Sequence, residues 1–554
     1  MIFRNRFPYI FFIAAMTLAP SVMAQTLSEE VVIDREITPV VRPSVRPSWV
    51  LPTVMNPDFE SRRLSFYEFM SPSEVTKTIV PLEPAVWADS VMRSPYKGYA
   101  SLGYFPVYNL GAAAGYRFLQ NKTINAGAHL SYDGNSWNGF ENDDSKFKQN
   151  KFAFGLDGDI NFGKGHLLAD FNYIYSATAG PQTSFERGAQ SINIVDFSVK
   201  WNPAATSLFD WDIAADFGYS GFTKKITFDP VKDVTFGLRS AMCFNITETS
   251  GVALNVDGHF RSLDNVHILL SDGVNSHFTE ILGIISLTPA YKFSNGRLGA
   301  NLGVRIDLNT GPAFKTRFAP DVRLHWTPSP FLSVYGRATG GEVMNTNREL
   351  WERNPWMLGT IAQERSHVNA DVEIGLTFGT FKGVWANLHG GWSSVSDWAT
   401  PVVLESVNTW SPAHIVGFNF GIEAGYSWRW LSLTGHVAGA SHRKYYRWQD
   451  NAKWDIGIAT KLRPIDRLSI DLGYDTRIGR QGFVFDVHSE SASYWVETTS
   501  LGHTSNLFVG AEYGVTDAIS LFVKGENLLN RHWQITTGVR STGIHGLVGV
   551  QYKF

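Results

Sequence analysis

Few groupings in this sequence have the residue types and spacing that covalent chemistry needs. Gly218-Tyr219-Ser220-Gly221 sets a serine among glycines, but a nucleophilic serine requires a strained elbow, a base and an oxyanion pocket, and no GxSxG frame supplies them. HExxH, the Walker loop, GxGxxG and CxxC are absent from the sequence, the 15 histidines scatter, and Cys243 is the single cysteine. No catalytic residue, metal-ligand set or cofactor site is therefore expected, and the chain does not read as an enzyme. What the sequence does offer is recognition chemistry. Trp351-Glu352-Arg353-Asn354-Pro355-Trp356, Arg443-Lys444-Tyr445-Tyr446-Arg447-Trp448 and Tyr494-Trp495 put aromatic faces beside guanidinium and amide groups, a mixture suited to stacking on sugars or flat ligands. The candidate ligand contacts are Trp351, Arg353, Trp356, Tyr445, Tyr446, Arg447, Trp448, Tyr494 and Trp495. The same residue types also pack loops together or sit at a membrane interface, so their meaning depends on the elements that position them.

Those elements are strands. In Lys453–Asp475 the residues Trp454, Ile456, Ile458, Thr460 and Leu462 alternate with Lys453, Asp455, Gly457, Ala459 and Lys461. After Arg463-Pro464-Ile465-Asp466 the alternation resumes at Leu468, Ile470, Leu472 and Tyr474. This is a period of two, with one apolar and one wet face per strand. The same rhythm runs from Gly98 onward, clearest where Leu298, Ala300, Leu302, Val304, Ile306 and Leu308 face away from Gly299, Asn301, Gly303, Arg305 and Asp307. Segments of about ten residues are joined alternately by short and long connections. The short ones, such as Gln120-Asn121-Lys122, Ser294-Asn295-Gly296, Thr327-Pro328-Ser329-Pro330, Phe381-Lys382-Gly383 and Arg463-Pro464-Ile465-Asp466, carry the residues that tight hairpins need. The long ones span 133–150, 262–277, 341–367, 397–414 and 477–505, and the aromatic clusters fall on or beside them. Period alone suits a soluble sandwich as well. Asymmetric connections, abundant aromatics and about 22 strands instead predict an all-β fold: a transmembrane antiparallel β-barrel with short periplasmic turns and long extracellular loops. Inward charges such as Arg305, Asp307, Asp455, Lys461, Asp471, Glu512 and Lys524 would then line an aqueous lumen.

Composition sets further bounds. Forty-eight Lys and Arg against 51 Asp and Glu leave a formal charge of -3, which provides no pull toward nucleic acid. Arg4 and Arg6 precede an apolar run from Tyr9 to Leu18 that closes on Val22-Met23-Ala24, the layout of a cleaved signal peptide over 1–24. Residues 25–97 hold 9 of the 24 prolines and none of the 50 glycines. They read as an extended Pro-rich periplasmic strap or partial lumen plug, with the barrel over 98–554.

The C-terminal residues carry a resemblance. Asn527, Leu528, Leu529, Asn530 and Arg531, followed by Val548, Val550, Tyr552 and Phe554 in an alternating last strand, are similar to the closing segment of TonB-dependent outer-membrane receptors. The resemblance implies a porin-like barrel in the outer membrane of a Gram-negative bacterium. It also implies a closing strand read by the barrel-assembly machinery, contact with membrane lipid, and import of a solute or glycan with a periplasmic partner, TonB-like or other. Glu30-Val31-Val32-Ile33-Asp34 resembles the box that pairs with such a partner by strand addition. The usual globular plug has no counterpart in 25–97, and the alternative is a membrane base for a surface, secretion or adhesion complex.

Overall fold

The computed structural model describes residues 96–106, 109–138, 146–180, 189–204, 208–224, 231–264, 268–269, 275–276, 279–311, 314–356, 365–404, 407–442, 452–488 and 493–554. The expected signal peptide, the 30–34 run and nearly all of the Pro-rich segment lie outside these residues.

Twenty-two described strands, from Gly98–Phe105 to His545–Lys553, make one antiparallel sheet in which each pairs with the next in the series. The first and last also pair, from Tyr99 opposite Lys553 to Tyr104 opposite Val548, so the sheet closes on itself and loses its edges. The alternation sorts the two faces. Leu302 and Val304 are 48% and 49% exposed, while Asp307 between the same neighbouring strands is fully buried. In the Trp454–Ile465 and Leu468–Ile478 pair, Ile458 and Leu472 are exposed and Asp455 is buried. A closed sheet that turns its large apolar side chains outward, with its backbone groups satisfied strand to strand, is stable in hydrocarbon and not in water. The chain therefore has the architecture of an integral outer-membrane barrel.

At one end the connections are tight. Asn121 Oδ1 accepts from the Thr123 and Ile124 amides (2.8 and 2.6 Å), and Asn295 Oδ1 accepts from Arg297 and Leu298 (3.1 and 2.7 Å). These side chains mimic a turn of backbone. Lys382 and Gly383 have φ of 50° and 87°, the pair of positive angles that a two-residue hairpin requires. Two turns sit slightly later than the sequence suggests. Pairing continues to Ser329 opposite Leu332 and Ile465 opposite Leu468, each after a register shift. Proline lacks an amide for the ladder, so Pro328 and Pro464 fall at those irregularities rather than in the turns.

The opposite end differs more from expectation. Most strands run 12–16 residues, and Val384–Leu404 and Val407–Trp428 reach 21 and 22. About 9–11 residues cross a bilayer, so the ladder continues well past the hydrocarbon. The span 397–414, read from its polarity as a loop, is a paired hairpin with Trp398 opposite Ala413 and Leu404 opposite Val407. Strands can go on pairing in water, though with less gain per hydrogen bond than in lipid, whereas the apolar alternation that reveals a strand is needed only in lipid. A further hairpin, Gln481–His488 with Ser493–Ser500, joins this extension through parallel pairing of Val403 with Val484.

Candidate functional site

The buried apolar clusters gather at the long-loop end, and most are built on one segment. Strand Leu332–Met344 parts from its preceding neighbour after Thr339 but stays paired to the next strand as far as Met344; on the freed side the Glu342 amide donates to Asp307 Oδ2 (2.7 Å) and its carbonyl accepts from Arg305 Nη2 (3.0 Å). Gly341 has φ 126°, and a Cβ there would meet Arg305 Nε at 2.5 Å, so glycine is needed where the chain bends inward. A short helix, Asn347–Arg353, follows. Thr346 caps it, accepting from the Glu349 amide while Glu349 accepts from the Thr346 amide.

The helix is held against the wall by buried charge. The Asn347 amide donates to Asp233 Oδ2 (2.8 Å), and Asp233 Oδ1 accepts from Arg261 Nε (3.0 Å), with both side chains almost wholly buried. Arg348 pairs with Asp196 at 2.6 Å. Asp196, Asp233 and Arg261 come from strands Gln190–Pro203, Val231–Asn245 and Ser250–Asp264, the last two of them paired neighbours. Their inward placement follows from the period-two pattern, but their meeting with the helix does not.

The aromatic candidates then separate. Trp351 is buried among Ile192, Ile194, Phe222, Val231 and Leu263, on the same stretch of wall that carries Asp196, Asp233 and Arg261. Leu350 packs with Ala399 and Trp410 of the tall hairpin. Arg353 lies between two indoles, 4.3 Å from the Trp398 ring and 5.0 Å from Trp410, and donates to the Ala399 carbonyl (2.6 Å). Desolvation there pushes its guanidinium down to about 10, against the pull of the Glu349 carboxylate, so it stays charged at neutral pH. The Pro355 carbonyl accepts from Gln190 and Thr178. Trp356 meets Trp137 and Phe147 edge-on at 5.8 and 5.6 Å, beside Val539 and Ile535. Trp137 belongs to Ile124–Asn138, ten strands round the sheet from the strand that the segment left. The segment thus crosses the outer mouth and lands on the far wall.

Trp351, Arg353 and Trp356 are brought into one device, each ring or guanidinium turned onto protein. Tyr445, Tyr446, Arg447 and Trp448 lie outside the described residues. Tyr494 and Trp495 sit in strand Ser493–Ser500, opposite Val487 and Asp486. Sequence reasoning missed Asp233, Arg261, Trp137, Phe147, Trp398 and Trp410. The indoles were visible in or beside spans read as loops, whereas Asp233 meets Asn347 across 114 positions of sequence, a contact for which no local pattern exists.

No protein-family model and no curated protein matches the chain. Solved structures do. The FrpB iron transporter from Neisseria meningitidis is similar with a TM-score of 0.65 at 11% identity, over 84% of this chain and 82% of that one. The siderophore receptor PirA from Acinetobacter baumannii is similar with a TM-score of 0.61 at 10% identity, over 82% and 80%. The ferripyoverdine receptor of the outer membrane of Pseudomonas aeruginosa gives 0.60 at 11%, over 83% and 72%. The barrel has the fold of a TonB-dependent receptor. At such identities the likeness is one of fold alone.

Within this barrel the C-terminal motif has a clear structural task. Asn527 and Asn530 both adopt φ 49°, a left-handed angle that asparagine tolerates better than most residues. Asn527 Nδ2 donates to the Arg531 and Thr542 carbonyls (2.7 and 2.9 Å), and its Oδ1 accepts from the Arg531 amide (2.9 Å). The Leu528 amide donates to the Leu507 carbonyl (2.9 Å), and Leu529 is exposed. Asn530 Oδ1 accepts from Ile544 (2.9 Å). The motif ends strand Ile519–Glu526 and ties both feet of the last outer loop. Val548, Val550, Tyr552 and Phe554 all point outward, and Phe554 stacks on Tyr552 and Tyr116 at the seam.

Proposed function

We propose that the protein is an outer-membrane import barrel that admits a hydrophilic solute through its lumen. The observation that carries this reading is the sorting of the closed sheet, apolar outside and charged within. An inward wall bearing pairs such as Arg337 with Glu373 at 2.9 Å and Arg239 with Asp216 at 3.2 Å suits water and polar solute, and weak binding along it lets solute both enter and leave. Import as the class of activity is supported by neighbours of the same fold described as an iron transporter and a siderophore receptor. On this reading Tyr445, Tyr446, Arg447, Trp448, Tyr494 and Trp495 are the aromatic contacts for arriving solute, sugars or flat ligands being the chemistry they suit. Residues 25–97 act from the periplasmic side as a strap or partial plug. Glu30–Asp34 pairs with a TonB-like partner, and Val548, Val550, Tyr552 and Phe554 present the last strand to the assembly machinery.

The test is ion conductance of the purified full-length barrel in planar bilayers. Conductance is expected, rising on deletion of 25–97 if that segment occludes the lumen. Complete absence of conductance with and without 25–97 would sink the reading. A second reading, a membrane base for a surface complex, is favoured by one observation: the tall hairpin and the 481–500 hairpin join into sheet beyond the barrel, a folded platform. A partner that co-purifies with a non-conducting barrel would select it.

A further inference from the structure

We infer that the segment 345–356 is a fixed size filter, so that the admitted solute is a small hydrophilic molecule of sugar size and not a bulky chelate or a folded polypeptide. The inference rests on the import reading and narrows it. Four kinds of attachment hold the segment, and they lie on three parts of the wall, the first two sharing strands Val231–Asn245 and Ser250–Asp264. The Asn347 amide is tied to a buried carboxylate that is itself paired with buried Arg261. Trp351 is enclosed by inward apolar residues of four strands. Arg353 is held between two indoles of the tall hairpin. Trp356 is lodged against Trp137 and Phe147 on the opposite side.

A lid that swings aside pivots at one or two points and exposes little. For this segment to leave the mouth, two buried indoles on one side, the Arg353 guanidinium on the tall hairpin and a buried ion pair would have to meet water together, so it stays across the mouth while solute passes beside it. The side that faces the opening carries the ion pair of Arg348 with Glu352 (3.1 Å), both side chains part-exposed. Solute that passes must therefore be hydrophilic as well as narrow. Size exclusion is then set by the distance from this bar to the wall rather than by the bore of a barrel of 22 strands, which is wide.

The test uses the full-length protein in liposomes and swelling in neutral sugars of graded length, from monosaccharide to maltoheptaose. The wild type is expected to admit mono- and disaccharides and to exclude the heptasaccharide at least tenfold. Trp351→Ala/Trp356→Ala, and separately replacement of 347–356 by a short Gly-Ser link, should admit the longer sugars. In a Cys243→Ser background, Gln190→Cys/Pro355→Cys bridged with a short bis-maleimide should leave monosaccharide entry unchanged. Free passage of the heptasaccharide in the wild type, an unaltered cut-off in both loosened variants, or entry abolished by the bridge would each overturn the filter while leaving import intact. If no sugar enters through any variant, import itself fails and the filter falls with it.

Discussion

Asp233 shows how much one carboxylate can organise. It neutralises Arg261 in a site that neither shares with solvent, and its second oxygen holds the first amide of the crossing helix. Breaking a buried pair by removing one partner costs about 3–5 kcal/mol, because the remaining charge is left in low dielectric. Asp233→Asn is expected to lower the temperature at which the barrel loses its compact electrophoretic form, whereas Asp233→Leu/Arg261→Met should recover much of the loss. A double variant no more stable than the single one would show that the pair's charges are irrelevant. Arg353 makes a different point. Its planar cation fills a slot between Trp398 and Trp410, and lysine keeps the charge without the plane. Arg353→Lys should cost about 0.5–2 kcal/mol in the same melting assay, and Arg353→Met should cost at least as much.

At the scale of elements, turns were the most legible feature and outer extensions the least. Asn121, Asn295 and Gly383 announce hairpins because their chemistry is local. The Asn527–Arg531 motif was equally visible, and its reason is now physical: two left-handed asparagines whose side chains satisfy the loop's own backbone. Asn527→Ala removes three hydrogen bonds at roughly 1 kcal/mol each and adds left-handed strain. It is expected to open the 527–544 loop to added protease while the barrel stays folded; a loop that remains resistant would contradict the assignment. Gly383→Ala should disturb the opposite end, since a Cβ there runs into the Ser427 carbonyl at a φ of 87°. Its effect is expected in refolding yield, where a mispaired hairpin is counted directly. By contrast, the crossing segment was legible only as a run of aromatics with charges. Three walls that are remote in sequence decide which way its rings turn, and pattern reading has no access to them.

For the molecule as a whole, closure is the step on which membrane insertion depends, and its seam is short: six residue pairs join the first and last strands. Gly103 lies opposite Gly549, and a Cβ on Gly549 would run into the Leu102 carbonyl and the Phe522 ring, so small residues let the two backbones meet. On the outer side Phe554 covers the join, stacked 6.0 Å from Tyr116, and its carbonyl accepts from the Lys97 and Gly98 amides at 2.7 Å. Its ring also occupies the space a Cβ on Gly98 would need. Outward rings at the seam gain little from the lumen or the loops, so their contribution to the finished barrel is limited to contact with lipid and with each other. Were packing their whole role, Phe554→Ala would lower the melting temperature and the folded yield together. If the outward alternation Val548, Val550, Tyr552, Phe554 is a signal for assembly, the substitution separates the two: folded barrel in cells falls several-fold, while protein refolded in detergent melts within a few degrees of the wild type. Equal losses in both measurements would return these residues to a purely structural role, and unchanged yield in cells would remove the assembly signal altogether.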